Sequence, residues 1–304
     1  MKKITGIYVP TAVPYHHDGS INATELRRHL QWLAENGVSG IFANGSTGEF
    51  TRLTREERRQ IIEITTTAAG GKLAVIAGAV EATQEETLEA CRYYAELGCQ
   101  AAALCPPPYF KLGQESLKEH YHRLADRSAL PVFLYNIPAF SPPLTGETIA
   151  ELAQHPRIVG IKDSSRDFAG FLTLMREIKP RRPDFVFMTG TEEILLPAII
   201  MGADGGTVAT AGILPEVVMK LYHDAINGRL NQAKTLQEAL LPLIKTMFSM
   251  EFPSGFRAAL ELRGFQPGPE RQPLSERQLR ERSALIEKLQ PQIDEVLKLM
   301  GANQ

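Results

Sequence analysis

Eight short apolar runs, each followed by a segment of helical periodicity, constrain this chain more than any other feature. The runs are GIYVP (6–10), GIFANG (40–45), LAVIAG (73–78), AAALCP (101–106), PVFLYN (131–136), IVGIKD (158–163), FVFMTG (185–190) and GGTVAT (205–210). Continuous apolar runs of this length read as strands covered on both faces, the situation of a parallel sheet. The segments between them carry helix signals. Asn22 precedes ATELRRHLQWLAENG, where Leu26, Leu30 and Leu33 share a face and Gly37 ends the pattern. Thr54 precedes REERRQIIEI, and Thr83 with Glu86 has capping-box spacing before TLEACRYYAELG. Strand and helix repeat about every thirty residues. Eight consecutive βα units predict an α/β fold of the (β/α)8 TIM-barrel type rather than an open doubly wound sheet. No Gly-x-Gly-x-x-Gly follows any strand, which also speaks against a dinucleotide site.

From residue 229 onward strand signals fade, and three helices are predicted over 230–248, 254–263 and 275–300. The expected organisation is a barrel over 1–228 and a C-terminal three-helix domain over 229–304. In the last helix Leu279, Ile286, Leu289, Ile293, Leu297 and Met300 recur at helical spacing, and Pro291 predicts a kink. No linker rich in Gly, Ser or Pro separates the two parts, so the helices are expected to pack on the barrel or on a neighbouring subunit.

Charge narrows the partners. The 304 residues carry 33 basic and 35 acidic side chains, a formal net charge of −2, and no basic cluster interleaved with aromatics. That pattern gives no footprint for nucleic acid or an anionic membrane. The start, MKKITGIYVPTAV, lacks the apolar core of a secretory signal, and no segment has the roughly eighteen uninterrupted apolar residues of a membrane span. A cytoplasmic protein is expected. Cys91, Cys99 and Cys105 form no Cys-x-x-Cys pair and are read as buried apolar fillers.

In a barrel of this kind the site forms at the carboxyl ends of the strands. NGSTGE, PPPYF, LYNIP, Lys162 and TGTEE all fall there. Lys162 ends an otherwise apolar strand, and lysine is among the residues least often buried. Either its amine snorkels to water, or desolvation lowers its pKa and makes it a nucleophile able to form a Schiff base with a ketone. Tyr135, one strand earlier, is either a satisfied core tyrosine or a phenol that moves protons beside that amine. NGSTGEF (44–50) lacks the lysine of a Walker loop; it is either an ordinary turn or a cradle in which Ser46 and Thr47 hold a carboxylate. No metal is expected, because the seven histidines show no ligand spacing, and His120 and His122 point to different faces of a helix. Glu192 and Glu193 are expected to repel phosphate and to accept hydrogen bonds from hydroxyls, which favours an unphosphorylated, polyhydroxylated substrate.

GSTGE (45–49), PYFK (108–111), YNIPA (135–139), GIKD (160–163) and GADGGTVAT (202–210), in this order and spacing, resemble the dihydrodipicolinate synthase and N-acetylneuraminate lyase family of pyruvate-dependent class I aldolases. The resemblance runs from Gly6 to about Ser275. It implies a barrel with C-terminal helices, usually a tetramer built from dimers, and a covalent Schiff base on Lys162 in place of any cofactor. It implies a catalytic set of Lys162, Tyr135 as proton shuttle, Thr47, and Tyr109 lent by a neighbouring subunit. Ser46 and Thr47 would hold the pyruvyl carboxylate, and Gly190 and Thr207 match positions at the base of the pyruvate pocket.

Two departures bear on substrate. Dihydrodipicolinate synthases carry an arginine five residues after the shuttle tyrosine, where this chain has Phe140, so aspartate semialdehyde loses a charge-assisted contact. GTEEI (190–194) is similar to the sialate lyase pattern, which makes Ser164, Glu192 and Glu193 candidate hydroxyl binders, yet Ala209 stands where those lyases have serine. The expected activity is reversible cleavage of a 2-oxo-3-deoxy sugar acid, or a related 4-hydroxy-2-oxo acid, into pyruvate and an aldehyde. The alternatives are dihydrodipicolinate synthase proper, a Schiff-base dehydratase, and a noncatalytic 2-oxo-acid-binding regulator.

Overall fold

Strands with no polar face have to be covered on both sides, and here all eight close on one another. The structure, a computed structural model, describes residues 4–301. Its strands are β1 (Gly6–Pro10), β2 (Gly40–Ala43), β3 (Ala74–Gly78), β4 (Ala101–Leu104), β5 (Val132–Asn136), β6 (Ile158–Asp163), β7 (Val186–Thr189) and β8 (Gly205–Thr207). They pair in sequence order as a closed parallel barrel, with β8 returning to β1. Each predicted run holds a strand; β2, β4, β7 and β8 stop before the end of their run, and the other four reach it.

The barrel helices are α1 (Ala23–Glu35), α2 (Arg55–Ala69), α3 (Gln84–Glu96), α4 (Gln114–Arg127), α5 (Gly146–Leu152), α6 (Phe168–Ile178), α7 (Leu195–Ile200) and α8 (Pro215–Ile226). Asn22 caps α1 by accepting from the Glu25 N–H. The complete capping box belongs to α2, between Thr54 and Glu57. At α3 the Thr83 side chain accepts from the Glu86 N–H, but the Glu86 carboxylate takes the Thr83 hydroxyl instead of the cap's backbone N–H, so the box expected there is half made.

Three further helices follow: α9 (Leu230–Met247), α10 (Ser254–Leu262) and α11 (Glu276–Gly301). Pro291 lies inside α11 without ending it, and buried Leu289 and Ile293 seat the helix on either side. Two apolar layers result. Tyr8, Phe42, Ile76, Phe133, Val186 and Met188 fill the barrel interior. A larger layer between barrel and helices continues into Leu240, Leu243, Leu289 and Ile293 of α9 and α11, so those helices share the barrel's core. Each fully buried large side chain contributes roughly 1.5–3 kcal/mol relative to exposure. Among the described residues no helix is long and apolar enough to cross a membrane.

Candidate active site

β5 and β6 place the two central side chains. Tyr135 and Lys162 are register partners, with Lys162 Nζ 4.2 Å from the centroid of the Tyr135 ring and 4.6 Å from that of Phe42. Lys162 is 4% exposed, so its amine stays in the barrel mouth instead of snorkelling to water. Burial lowers its pKa from 10.5 to about 7, against the opposing pull of the Glu192 carboxylate. Two aromatic faces are poor substitutes for water around an ammonium, which is why desolvation dominates.

Burial holds the Tyr135 phenol well above its ordinary pKa, with hydrogen bonds to Ser46 and Ser164 opposing. Its hydroxyl lies 3.2 Å from Ser46 Oγ. The phenol is therefore neutral at rest and linked to a hydroxyl on the β2 loop and another on the β6 loop. Gly190 closes the base of the pocket: a Cβ there would lie 2.1 Å from Ser164 Oγ and 2.8 Å from Lys162 Cε. A larger residue there would have to push those two side chains out of place.

A cavity of about 290 Å³ unites Ser46, Thr47, Tyr135, Lys162, Ser164, Gly190, Glu192, Glu193 and Thr207. Nine of the ten residues singled out in the sequence thus line one space. Tyr109 does not: it is 85% exposed on the β4–α4 loop, its ring 4.9 Å from that of exposed Phe110.

The two glutamates diverge. Glu192 is buried, and its carboxylate accepts from the N–H of Ala209 at 2.8 Å and of Thr210 at 3.1 Å. Burial raises its pKa from 4.5 to about 8, with those two amides pulling the other way. The backbone donors beyond β8, which in phosphate-binding barrels face the ligand, are here satisfied by a side chain of the same protein. The two free negative charges expected beside β7 are not there: Glu192 is turned inward to those amides and Glu193 is ion-paired with Arg166.

Several contributors were not legible as site residues. Arg166 lines the cavity with Phe248 and Phe252, which belong to the α9–α10 connection, distant in sequence from the strands. Asp163 is buried beneath the β6 loop, accepting from Asn136 Nδ2 at 2.8 Å and from the Ser165 hydroxyl at 2.8 Å. Behind GSTGE, Arg257 of α10 is fully buried and donates to the carbonyls of Val13, Pro267 and Pro269 at 2.7–2.8 Å. It faces Glu270 at 3.3 Å and Glu49 at 4.0 Å. An arginine in an amphipathic helix gives no sign from sequence that it will be interior. Among the described residues no group of three or more His, Cys, Asp or Glu side chains is placed to hold a metal ion.

The sequence model of the Dihydrodipicolinate synthetase family matches residues 3–292. The chain belongs to that family. The match reaches into α11, beyond the Ser275 limit of the motif resemblance. Dihydrodipicolinate synthetase family relatives are carbon–carbon lyases, and this chain is an enzyme of that class. It is 34% identical over 277 residues to a 4-hydroxy-tetrahydrodipicolinate synthase of Methanopyrus kandleri, covering 90% of this chain and 91% of that one. It is 33% identical over 266 residues to an uncharacterized DapA-like lyase of Thermofilum pendens, covering 85% and 87%. Among solved family structures, a dihydrodipicolinate synthase superposes with a TM-score of 0.86 at 29% identity, covering 98% of this chain and 99% of the other. YagE, a prophage protein of the family from Escherichia coli K12 in complex with pyruvate, gives 0.88 at 26% identity, covering 95% and 98%.

Proposed function

We propose that this enzyme reversibly cleaves a 2-oxo-3-deoxy sugar acid, or a related 4-hydroxy-2-oxo acid, into pyruvate and an aldehyde through a Schiff base on Lys162. The observation that carries this reading is the desolvated Lys162 amine beside the neutral Tyr135 phenol. The neutral amine attacks the C2 carbonyl, and the Tyr135 hydroxyl protonates the oxygen that leaves as water, forming the iminium. The resulting phenolate, next to that cation, takes the proton of the C4 hydroxyl. The C3–C4 bond then breaks, its electron pair passing into the iminium to give the enamine of pyruvate. Protonation at C3 and hydrolysis release pyruvate and restore the amine. Ser46 and Thr47 hold the carboxylate, Ser164 and Glu193 face the hydroxylated chain, and Gly190 and Thr207 shape the base of the pocket.

Tyr109 enters this scheme only from a second copy, and its exposure beside that of Phe110 leaves both rings available to such a copy. Sedimentation at working concentration tests the assembly; a monomer with full activity would remove Tyr109 from the mechanism. For the chemistry, borohydride added with pyruvate should leave a reduced adduct on the peptide containing Lys162, and Lys162→Ala should give neither adduct nor turnover. Substantial turnover by that variant would sink the Schiff-base mechanism.

The second reading is condensation of pyruvate with aspartate semialdehyde, supported by the name of the Methanopyrus relative. Phe140, half-exposed at the mouth, stands against it because it offers no charge to the semialdehyde's carboxylate. Incubation of pyruvate with aspartate semialdehyde or with neutral hydroxyaldehydes, with product masses compared, separates the two.

A further inference from the structure

Asn136 and Asp163 end β5 and β6, each one residue beyond the reacting pair, and are themselves register partners. Alternation along a strand turns them to the face opposite Tyr135 and Lys162. Neither lines the Lys162 cavity, and both are buried. A carboxylate and an amide out of water are costly unless every polar atom is bonded, and here each one is. Asn136 Nδ2 donates to Asp163 Oδ1 at 2.8 Å, and Asn136 Oδ1 accepts from the Leu144 N–H at 3.1 Å. Asp163 Oδ1 also accepts from the Ser165 N–H at 3.2 Å, and Oδ2 takes the Ser165 hydroxyl at 2.8 Å.

The bonds lead to the reacting groups. Leu144 closes the segment that carries Ile137 and Phe140, which line the cavity. The Asn136 carbonyl accepts from the Ser164 N–H at 2.8 Å, and the Ser164 side chain bonds to the Tyr135 hydroxyl. The Asp163 carbonyl accepts at 2.7 Å from the N–H of Gly190, at the base of the pocket. One polar pair therefore spans the exits of β5 and β6 directly behind the phenol and the amine.

We propose that Asn136 and Asp163 are positioning residues that set the Tyr135 hydroxyl against the Lys162 amine by holding the two strand ends in register. This rests on the reading of Lys162 and Tyr135 as a Schiff-base amine and its proton carrier. Two apolar residues could fill the same space with no desolvation cost, but they would fix neither a distance nor a direction. Directional bonds between the strand exits fix both. A displacement of about 1 Å between reacting groups can cost about a hundredfold in rate.

The test reads the single-turnover rate of adduct formation with pyruvate, trapped by borohydride on the Lys162 peptide and measured below the Tm of every variant. Asn136→Ala should lower that rate by about 10–10²-fold. In the Tyr135→Phe background the same substitution should cost about twofold or less, because its effect passes through the phenol. Asn136→Ser gives the same comparison should Asn136→Ala fail to fold. Asp163→Asn, which keeps an acceptor for Asn136 Nδ2, should retain most of the rate; a loss as large as that of Asn136→Ala would assign the effect to charge and overturn the proposal. Asn136→Asp sets one carboxylate against another. Adding Asp163→Asn to it restores an amide–carboxylate pair and should recover most of the lost rate. Equal losses in the two Tyr135 backgrounds would mark a merely structural pair and overturn the proposal, as would an exchanged pair no faster than Asn136→Asp alone. A wild-type adduct without this coupling defeats the positioning pair alone, whereas no wild-type adduct defeats the Schiff-base reading and this proposal together.

Discussion

Lys162 Nζ stands 4.2 Å from the centroid of the Tyr135 ring because their Cα atoms are partners across the β5–β6 pairing. The amine and the phenol are thus set by backbone register, and burial shifts both toward their neutral forms. Removing the hydroxyl alone should separate their roles. Tyr135→Phe keeps the ring and the packing against Phe42, and should lower kcat by about 10²–10⁴-fold, the usual range for loss of a proton-transfer group. Steady-state kinetics with an unchanged Tm would check this.

The pH dependence follows from the direction of the Lys162 shift. With a folded pKa near 7, the amine is protonated below that value and free to attack above it. The rate of adduct formation with pyruvate should rise as pH increases through about 7 and then level off. Between about 7 and 10.5 the unfolded chain holds a proton on this lysine that the folded one does not, so its contribution makes stability increase with pH over that window. Single-turnover trapping and denaturant melts across pH measure the two effects; Lys162→Met should abolish this group's part of the stability slope.

Glu192 couples the site to the β8 loop. Its carboxylate raises the Lys162 pKa and receives the N–H groups of Ala209 and Thr210. Glu192→Gln removes the ionisable group, and with it the negative charge that grows as pH rises toward and through about 8, and turns an amide nitrogen toward one of those donors. We expect the midpoint for adduct formation to move to lower pH, and stability to fall by roughly 1–3 kcal/mol as a buried donor loses its acceptor. An unmoved midpoint would show that Glu192 does not act on the amine.

Gly190→Ala sets a methyl group into Ser164 Oγ and Lys162 Cε. The cost of overpacking is about 1–3 kcal/mol, and the displaced amine should lose most of its rate of attack. Thermal melts and borohydride trapping read these separately.

Arg257 ties α10 to the chain behind GSTGE through buried carbonyl contacts. Arg257→Met leaves Glu270 and Glu49 without their interior cation, and should destabilise by roughly 3–5 kcal/mol. A drop in Tm accompanied by a higher KM for pyruvate would connect the C-terminal helices to the carboxylate loop.

Much of this protein is legible in its sequence. Period-two-free apolar runs alternating with capped helical segments were enough for a closed barrel, because strands that expose no polar face need cover on both sides. The placement of polar residues at strand ends was enough to gather Ser46, Thr47, Tyr135, Lys162 and Ser164 at one mouth, since the barrel carries every carboxyl end to the same side. What the sequence could not contain was how side chains from separate loops answer one another. Glu192 and Glu193 are adjacent and chemically identical, yet one turns inward to the amides of Ala209 and Thr210 and the other outward to Arg166. That choice depends on which donors the β6 and β8 loops bring within reach. For the same reason Arg166 read as a surface charge and Phe248 as a helix end until folding brought them to the rim of the Lys162 pocket. Local pattern determines which elements form and which way they run; contacts between residues remote in sequence, made through space at a few ångströms, decide which charges are free to meet a substrate.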